Sequence, residues 1–368
     1  MRITAAVTRT AGGPFTIEAL ELDDPRHDEV RVRLVSAGIC HTDLSVRDQV
    51  VPAPLPVVLG HEGAGVVEHV GNRVTKVAPG DHVVMSYMSC GRCRNCASGL
   101  PSGCDLIFPL NFACHRLDGS GSLRTCDAQR GSVHGFFFSQ SSFATHAIAN
   151  ERNIVKVPRE VPLEILGPLG CGIQTGAGSV LNALRPPAGS TIAIFGTGAV
   201  GMSAIMAARV AGCTTIVGID INERRLDLAR ELGATHVIDG NRESAVDVIN
   251  AITHSGADYS LDATGVPYVT RQALECLRVG GACGLVGAAP LGTELRFTWE
   301  SLFLGRSIRG IVEGDAIPDL LIPRLIELYR SGRFPFDRLI THFPLEEINA
   351  AAQAAAAGRV LKPVLTMA

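Results

Sequence analysis

At 368 residues the chain is longer than one ordinary hydrophobic core organises, so two domains are expected. Its hydrophobic share of 46% is that of a globular protein, and a formal charge of -3 excludes the electrostatic footprint of a nucleic-acid or anionic-membrane binder, which leaves small-molecule chemistry. No apolar run reaches the roughly 20 residues of a membrane span, and residues 1–10 lack the apolar centre of a signal peptide, so a cytoplasmic location is expected.

Residues 3–83 read as β-rich, with short Val- and Ile-rich strands at 15–22, 30–35, 65–70 and 82–85 between Gly, Pro and Asp turns. Within this region Gly38-Ile39-Cys40-His41-Thr42-Asp43-Leu44 marks a strand handing over to a short helix, with Thr42 or Asp43 as its cap. Asp43 reads equally as a cap or as part of a chemical site. Further on, Gly60-His61-Glu62-Gly63 sets a charged pair among glycines and apolar residues. By itself a histidine in such a run is more commonly a satisfied core residue.

Eleven cysteines in a reducing compartment call for a role other than disulfides, and the odd total argues against a fully paired framework. Four of them, Cys90, Cys93, Cys96 and Cys104, share one loop without hydrophobic periodicity. Close-spaced thiolates of this kind wrap one tetrahedral ion, and a filled Cys₄ set is a structural zinc site that does no chemistry. The lobe is expected over about 88–106. The other dispersed cysteines Cys114, Cys126, Cys213, Cys276 and Cys283 read as small buried or incidental thiols.

From residue 163 the pattern turns helical, through Gly170-Cys171-Gly172 and on to 184. A buried-type strand at 191–195 then runs into Gly196-Thr197-Gly198-Ala199-Val200-Gly201 and a small-residue helix, and the next strand ends at Asp220. A strand, a G-x-G-x-x-G turn, a helix and an acid about 20 residues on together make a dinucleotide site. Asp220 would accept hydrogen bonds from the adenosine ribose and repel a 2′-phosphate, which favours NAD even with Arg224 and Arg225 nearby. The competing reading is a cap for the helix that follows. Helices at 223–232, 245–253 and 268–277 alternate with strands at 236–238, 259–262 and 282–286, the pattern of a doubly wound parallel sheet. Two amphipathic helices, 318–329 and 345–357, and a strand at 360–365 close the chain.

Outside or bordering the nucleotide domain, Cys40, His61 and Cys171 remain as ligand types at element ends. Two thiolates and one imidazole make a zinc site with its fourth position free. On these residues, the four-cysteine lobe and the glycine fingerprint, the chain resembles the zinc-dependent medium-chain alcohol dehydrogenases over essentially its full length. The runs 40–49 and 171–179 are most similar to the aryl-alcohol (benzyl alcohol) branch.

The resemblance implies an α/β protein: a GroES-like, β-rich catalytic domain split over 1–172 and 315–368, and a Rossmann NAD-binding domain over 173–314. It implies two zinc ions per chain, one of them held by Cys40, His61 and Cys171 and oriented by Asp43 and Glu62. It makes Thr42 the hydroxyl beside the substrate, sets His41 and Lys362 near the cofactor pyrophosphate, and adds Arg225 and Val286 to the cofactor contacts. Where some relatives end the proton relay in a histidine three residues after the hydroxyl, this chain has Ser45.

The expected reaction is NAD-dependent oxidation of a primary aromatic or allylic alcohol to its aldehyde. The rivals are glutathione-dependent formaldehyde dehydrogenase and a non-enzymatic NAD- and zinc-binding redox sensor. Residues 306–312 read as an edge strand, and the resemblance implies that such a strand pairs across a two-fold axis, giving a homodimer or homotetramer. The loop 108–138, with its Phe136-Phe137-Phe138 run, reads either as packing under the zinc lobe or as lining of an apolar pocket.

Overall fold

The computed structural model describes residues 1–126 and 131–367. Two compact units divide the chain: Met1–Cys171 with Ile317–Pro323 and Asp337–Ala368, and Gly172–Ala316 with Arg324–Phe336. The sequence reading kept 315–368 together. In the structure the stretch 324–336 clusters with the second unit instead, its Leu325, Ile326, Phe334 and Phe336 fully buried.

The first unit is antiparallel-rich. One sheet of five strands orders Val57–Val58, Arg2–Thr8, Phe15–Leu22, Leu123–Thr125 and Ser132–Val133. A second sheet is built around Glu29–Gly38, which pairs with Gly63–Val70, His146–Asn150 and Lys362–Thr366. Register here positions the chemistry. Ala37 faces Gly63 and Gly38 faces Val364, so the end of one strand, the start of another and the C-terminal strand converge beside Cys40, Glu62 and Lys362.

The second unit is a parallel sheet in the order His236–Asp239, Thr215–Asp220, Thr191–Phe195, Ala257–Asp262, Leu277–Leu285, Ser307–Gly310. Numbered along the chain this is 3-2-1-4-5-6, the doubly wound order whose strand reversal lies beside the first strand. Helix Glu223–Leu232 starts and ends where the periodicity predicts it. The helix expected at 268–277 spans Pro267–Glu275 instead, because Leu277 is already paired with Ala257 in the next strand. Ser307–Gly310 lies at the sheet edge, as its sequence suggests.

Among the described residues no helix is long and apolar enough to cross a membrane.

The glycine turn shows why small residues are needed there. Gly196 has φ +85, and a Cβ on Gly201 would overlap the Gly196 carbonyl oxygen. Gly201→Ala is therefore expected to destabilise the second unit by roughly 1–3 kcal/mol through overpacking, read as a lower denaturant midpoint; an unchanged midpoint would show that the turn can relax.

Candidate functional site

Cys40 is the N-cap of helix His41–Arg47, in extended conformation at φ -111, ψ 158. The cap is neither Thr42 nor Asp43, as the sequence suggested. Asp43 occupies the third helical position and reaches back so that its Oδ2 accepts the Cys40 N–H at 2.8 Å. Its other oxygen, Oδ1, accepts the Gly60 N–H at 3.1 Å and lies 2.9 Å from His61 Nδ1. Asp43 is thus both helix-terminal anchor and ring anchor, which resolves the two readings of that residue into one. A carboxylate on Nδ1 sets the tautomer in which Nε2 carries the lone pair.

His61 is fully buried. Its Nε2 has no hydrogen-bond partner among the described residues. A buried nitrogen of that kind asks for a partner, and the thiols of Cys40 and Cys171 are beside it: one ligand atom each from Cys40, His61, Glu62 and Cys171 lie within 4.8 Å of one another. Hydrogen bonding with Cys171 holds the Cys40 thiol well below its ordinary value despite burial, helped by His61 and Lys362. Burial disfavours a charged His61, yet Asp43 and Cys40 outweigh it and raise the imidazole well above its usual range. The donor set therefore favours anionic sulfur around a positive centre, and fits a metal dication. His41 is exposed at the start of the helix and stands apart from this cluster.

Glu62 and Lys362 form a buried ion pair behind the ligands. Lys362 Nζ donates to Glu62 Oε1 at 2.8 Å, to Oε2 at 3.0 Å and to the Ile39 carbonyl at 3.3 Å. Burial raises the Glu62 carboxyl while Lys362 opposes it; for Lys362 the attraction of Glu62 overcomes burial, and its ammonium is held above the usual lysine range. Lys362, expected near the cofactor pyrophosphate, thus meets Glu62 and Ile39 within the first unit. Its side chain is 3% exposed, and its three ammonium protons are matched by partners inside the first unit.

The aromatic run also finds its place, and residues 127–130 of that loop lie outside the described residues. Phe138 stacks on the His61 ring at a 4.4 Å centroid distance, and Phe137 meets it edge-on at 5.4 Å. Thr42 Oγ1 lies 3.7 Å from Cys40 Sγ at the first turn of the helix.

In the separate four-cysteine lobe, ligand atoms of Cys90, Cys93, Cys96 and Cys104 lie within 4.8 Å of one another. Backbone N–H groups point at sulfur: Cys93 N to Cys90 Sγ at 3.3 Å, Cys90 N to Cys104 Sγ at 3.2 Å, and Leu106 N to Cys104 Sγ at 3.4 Å. Those from Arg92 and Cys93 bring the Cys90 thiol down to about 6. Burial pushes the Cys96 thiol up to about 12 and raises Cys104, so a bound cation would be what makes all four thiolates.

In the second unit, helix Ala199–Ala211 begins at Gly198, where an added Cβ would meet nothing within 4 Å, an open cradle at a helix N-terminus. Thr197 donates to Asp220 Oδ2 from both its N–H, at 2.7 Å, and its hydroxyl, at 2.9 Å. The cap of helix Glu223–Leu232 is Asn222, so the cap reading of Asp220 falls away. Arg225 lies 3.9 Å from Asp220, and its Nε is buried without a partner among the described residues. Val286 follows the strand Leu277–Leu285 and donates its N–H to the Asp262 carbonyl.

Sequence reasoning missed Gln140, whose amide grips the backbone on both sides of Glu62. It also missed the partner of Lys362. Neither carries a local motif.

Known proteins resemble the chain over nearly its full length. Residues 26–159 match the alcohol dehydrogenase GroES-like domain, and residues 199–329 match the zinc-binding dehydrogenase domain. The chain is 48% identical over 364 residues to geraniol dehydrogenase of Castellaniella defragrans, covering 98% of this chain and 96% of that one. Among solved structures, benzyl alcohol dehydrogenase from Acinetobacter calcoaceticus superposes with a TM-score of 0.97 at 46% identity, covering 100% of both chains. An alcohol dehydrogenase zinc-binding domain protein from Burkholderia ambifaria superposes at 0.98 and 54%, covering 100% of this chain and 99% of that one.

Replacing Asp43 with Asn keeps the volume but turns an amide donor toward either His61 Nδ1 or the Cys40 N–H. Metal affinity at the Cys40–His61–Cys171 cluster is expected to fall about 10–100-fold, measured by chelator competition; unchanged affinity would remove Asp43 from that role.

Proposed function

The chain belongs to the zinc-dependent alcohol dehydrogenase family, and from that premise we propose that it interconverts primary aromatic or allylic alcohols and their aldehydes, with NAD as the hydride acceptor. The observation that carries the reading is the pair of thiols around the buried His61, whose Nδ1 is held by Asp43 and whose Nε2 is left for a metal. The substrate class is supported by the relatives named for geraniol and for benzyl alcohol.

In this reading Cys40, His61 and Cys171 hold one zinc and the four-cysteine lobe holds another. When bound, zinc would supply a Lewis acid for the alcohol oxygen and NAD would supply a hydride acceptor. The chain's own groups handle the proton and the charge. Asp43 keeps the His61 tautomer in which the ring is a neutral ligand, so two thiolates and one imidazole balance a dication. Lys362 neutralises Glu62 and occupies both its oxygens, which keeps a second carboxylate charge out of the cluster. Thr42, half-buried in the first helical turn, accepts the hydrogen bond of the alcohol and passes its proton outward. Ser45, one turn further on, is too weak a base to end that relay, so His41 or water receives the proton.

For the cofactor, Gly196 to Gly201 offer N–H groups to the pyrophosphate, while Asp220, with Arg225 beside it, favours a free ribose over a 2′-phosphate. Val286 flanks the cofactor from the end of its strand. Assembly as a homodimer or homotetramer is supported by the edge strand Ser307–Gly310 and by the exposed Trp299 and Phe303 near it in sequence.

In a steady-state screen with NAD and no glutathione, benzyl alcohol and geraniol should exceed ethanol in kcat/KM by about tenfold or more. Activity found only with glutathione would overturn the substrate reading. Metal analysis should return two zinc ions per chain. Cys171→Ala should lower that to one and abolish turnover while NAD still binds; retained turnover would remove Cys171 from the ligand set.

A further inference from the structure

The segment 136–143 has a costly backbone. Phe136, Phe138, Ser139 and Ser141 sit at φ +62, +51, +53 and +56, and none of them is glycine. Residues held there persist only when their surroundings over-determine them, and they gather near working sites. The surroundings are visible. Ser141 Oγ donates to the Val58 carbonyl at 2.6 Å, Phe143 N to Leu59 O at 3.0 Å, and Ser142 N to Gly60 O at 2.9 Å. Ser139 Oγ fixes the other side by donating to Leu110 O at 2.7 Å. The segment is laced along the chain that leads into His61.

Between two left-handed serines stands Gln140, 2% exposed, at φ -145, ψ -53. Its Nε2 donates to the His61 carbonyl at 3.0 Å and to the Ser86 carbonyl at 3.2 Å. Its Oε1 accepts the Gly63 N–H at 3.2 Å. One amide therefore grips the peptide groups on either side of Glu62 and ties them to the end of the strand His82–Met85.

We infer that Gln140 is a positioning residue for the metal ligand His61, acting through the backbone rather than on the ring. The inference rests on the zinc role proposed above for Cys40, His61 and Cys171. The ring already has its anchors, Asp43 on Nδ1 and Phe138 on its face. The Cα that carries the ring is held from the Gly60 side by Asp43 and Ser142, which leaves its carbonyl side to be stiffened. Gln140 supplies that stiffness and satisfies a His61 carbonyl that burial would otherwise strand. The strained backbone of the segment is the means of delivering this amide.

Two variants of the zinc-loaded protein test it. Gln140→Met removes every bond of the amide at similar volume; Gln140→Glu keeps an acceptor for the Gly63 N–H but sets a carboxylate oxygen against the carbonyls of His61 and Ser86. Removal of metal by EDTA is followed for both zinc sites, and the ligand-field bands of the cobalt-substituted enzyme are recorded alongside. The expected result is release from the Cys40–His61–Cys171 site about 10–100-fold faster with displaced cobalt bands, while release from the four-cysteine lobe stays at the wild-type rate. Wild-type release and bands in a folded variant would overturn the inference, as would equal acceleration at both sites, which marks general loosening. If Gln140→Met does not fold, Gln140→Glu decides on the same readouts. A wild-type protein with zinc in the lobe alone would overturn the zinc reading and this inference with it, whereas two ions and unmoved release overturn the inference only.

Discussion

The carboxylate of Asp43 is the joint on which the first unit's chemistry depends. Its two oxygens meet the Cys40 N–H, the Gly60 N–H and His61 Nδ1, so one fully buried anion connects the start of a helix to the loop that carries the imidazole. A buried carboxylate is costly unless its lone pairs are matched, and matching them is what brings Cys40 and His61 to one place. Helix capping and ligand orientation are here the same interaction. Loss of these N–H partners would leave the carboxylate with an uncompensated charge.

Charge balance extends outward from that joint. Around the cluster lie two thiols, the Asp43 carboxylate and Glu62, with the Lys362 ammonium as the cation that answers Glu62. Without Lys362 the surplus of negative charge would raise the free energy of every anionic ligand nearby. The strand Lys362–Thr366 delivers it, paired antiparallel to the strand that ends at Gly38. A C-terminal strand that looks like a closing piece of sheet is thus part of the electrostatics of the site.

The second unit depends on a different constraint, the closeness of backbone to backbone. Gly201 lies against the Gly196 carbonyl, and Asp220 pins the turn by accepting from Thr197 at the end of the neighbouring strand. Small residues and one carboxylate shape the turn before any nucleotide arrives. That is preorganisation, and it leaves the space over Gly198 free.

Much of this was legible in the chain itself. The doubly wound parallel sheet follows from alternating elements, and the nucleotide turn from glycine spacing joined to Asp220. Both thiol clusters follow from residue type, since cysteines and a histidine at element ends are metal-ligand types. These features are local or depend on composition, and local physics is what a single sequence displays. The tertiary structure alone decided who partners whom. His61 meets Asp43 across 18 residues, Gln140 meets His61 across 79, and Lys362 meets Glu62 across 300. No periodicity or cap encodes such pairings, because they arise only when sheet register brings distant strand ends together. So from the chain Asp43 reads as an undecided cap and Gln140 as nothing at all, until the register of Glu29–Gly38 against its neighbours sets both, with Lys362, around the same buried loop.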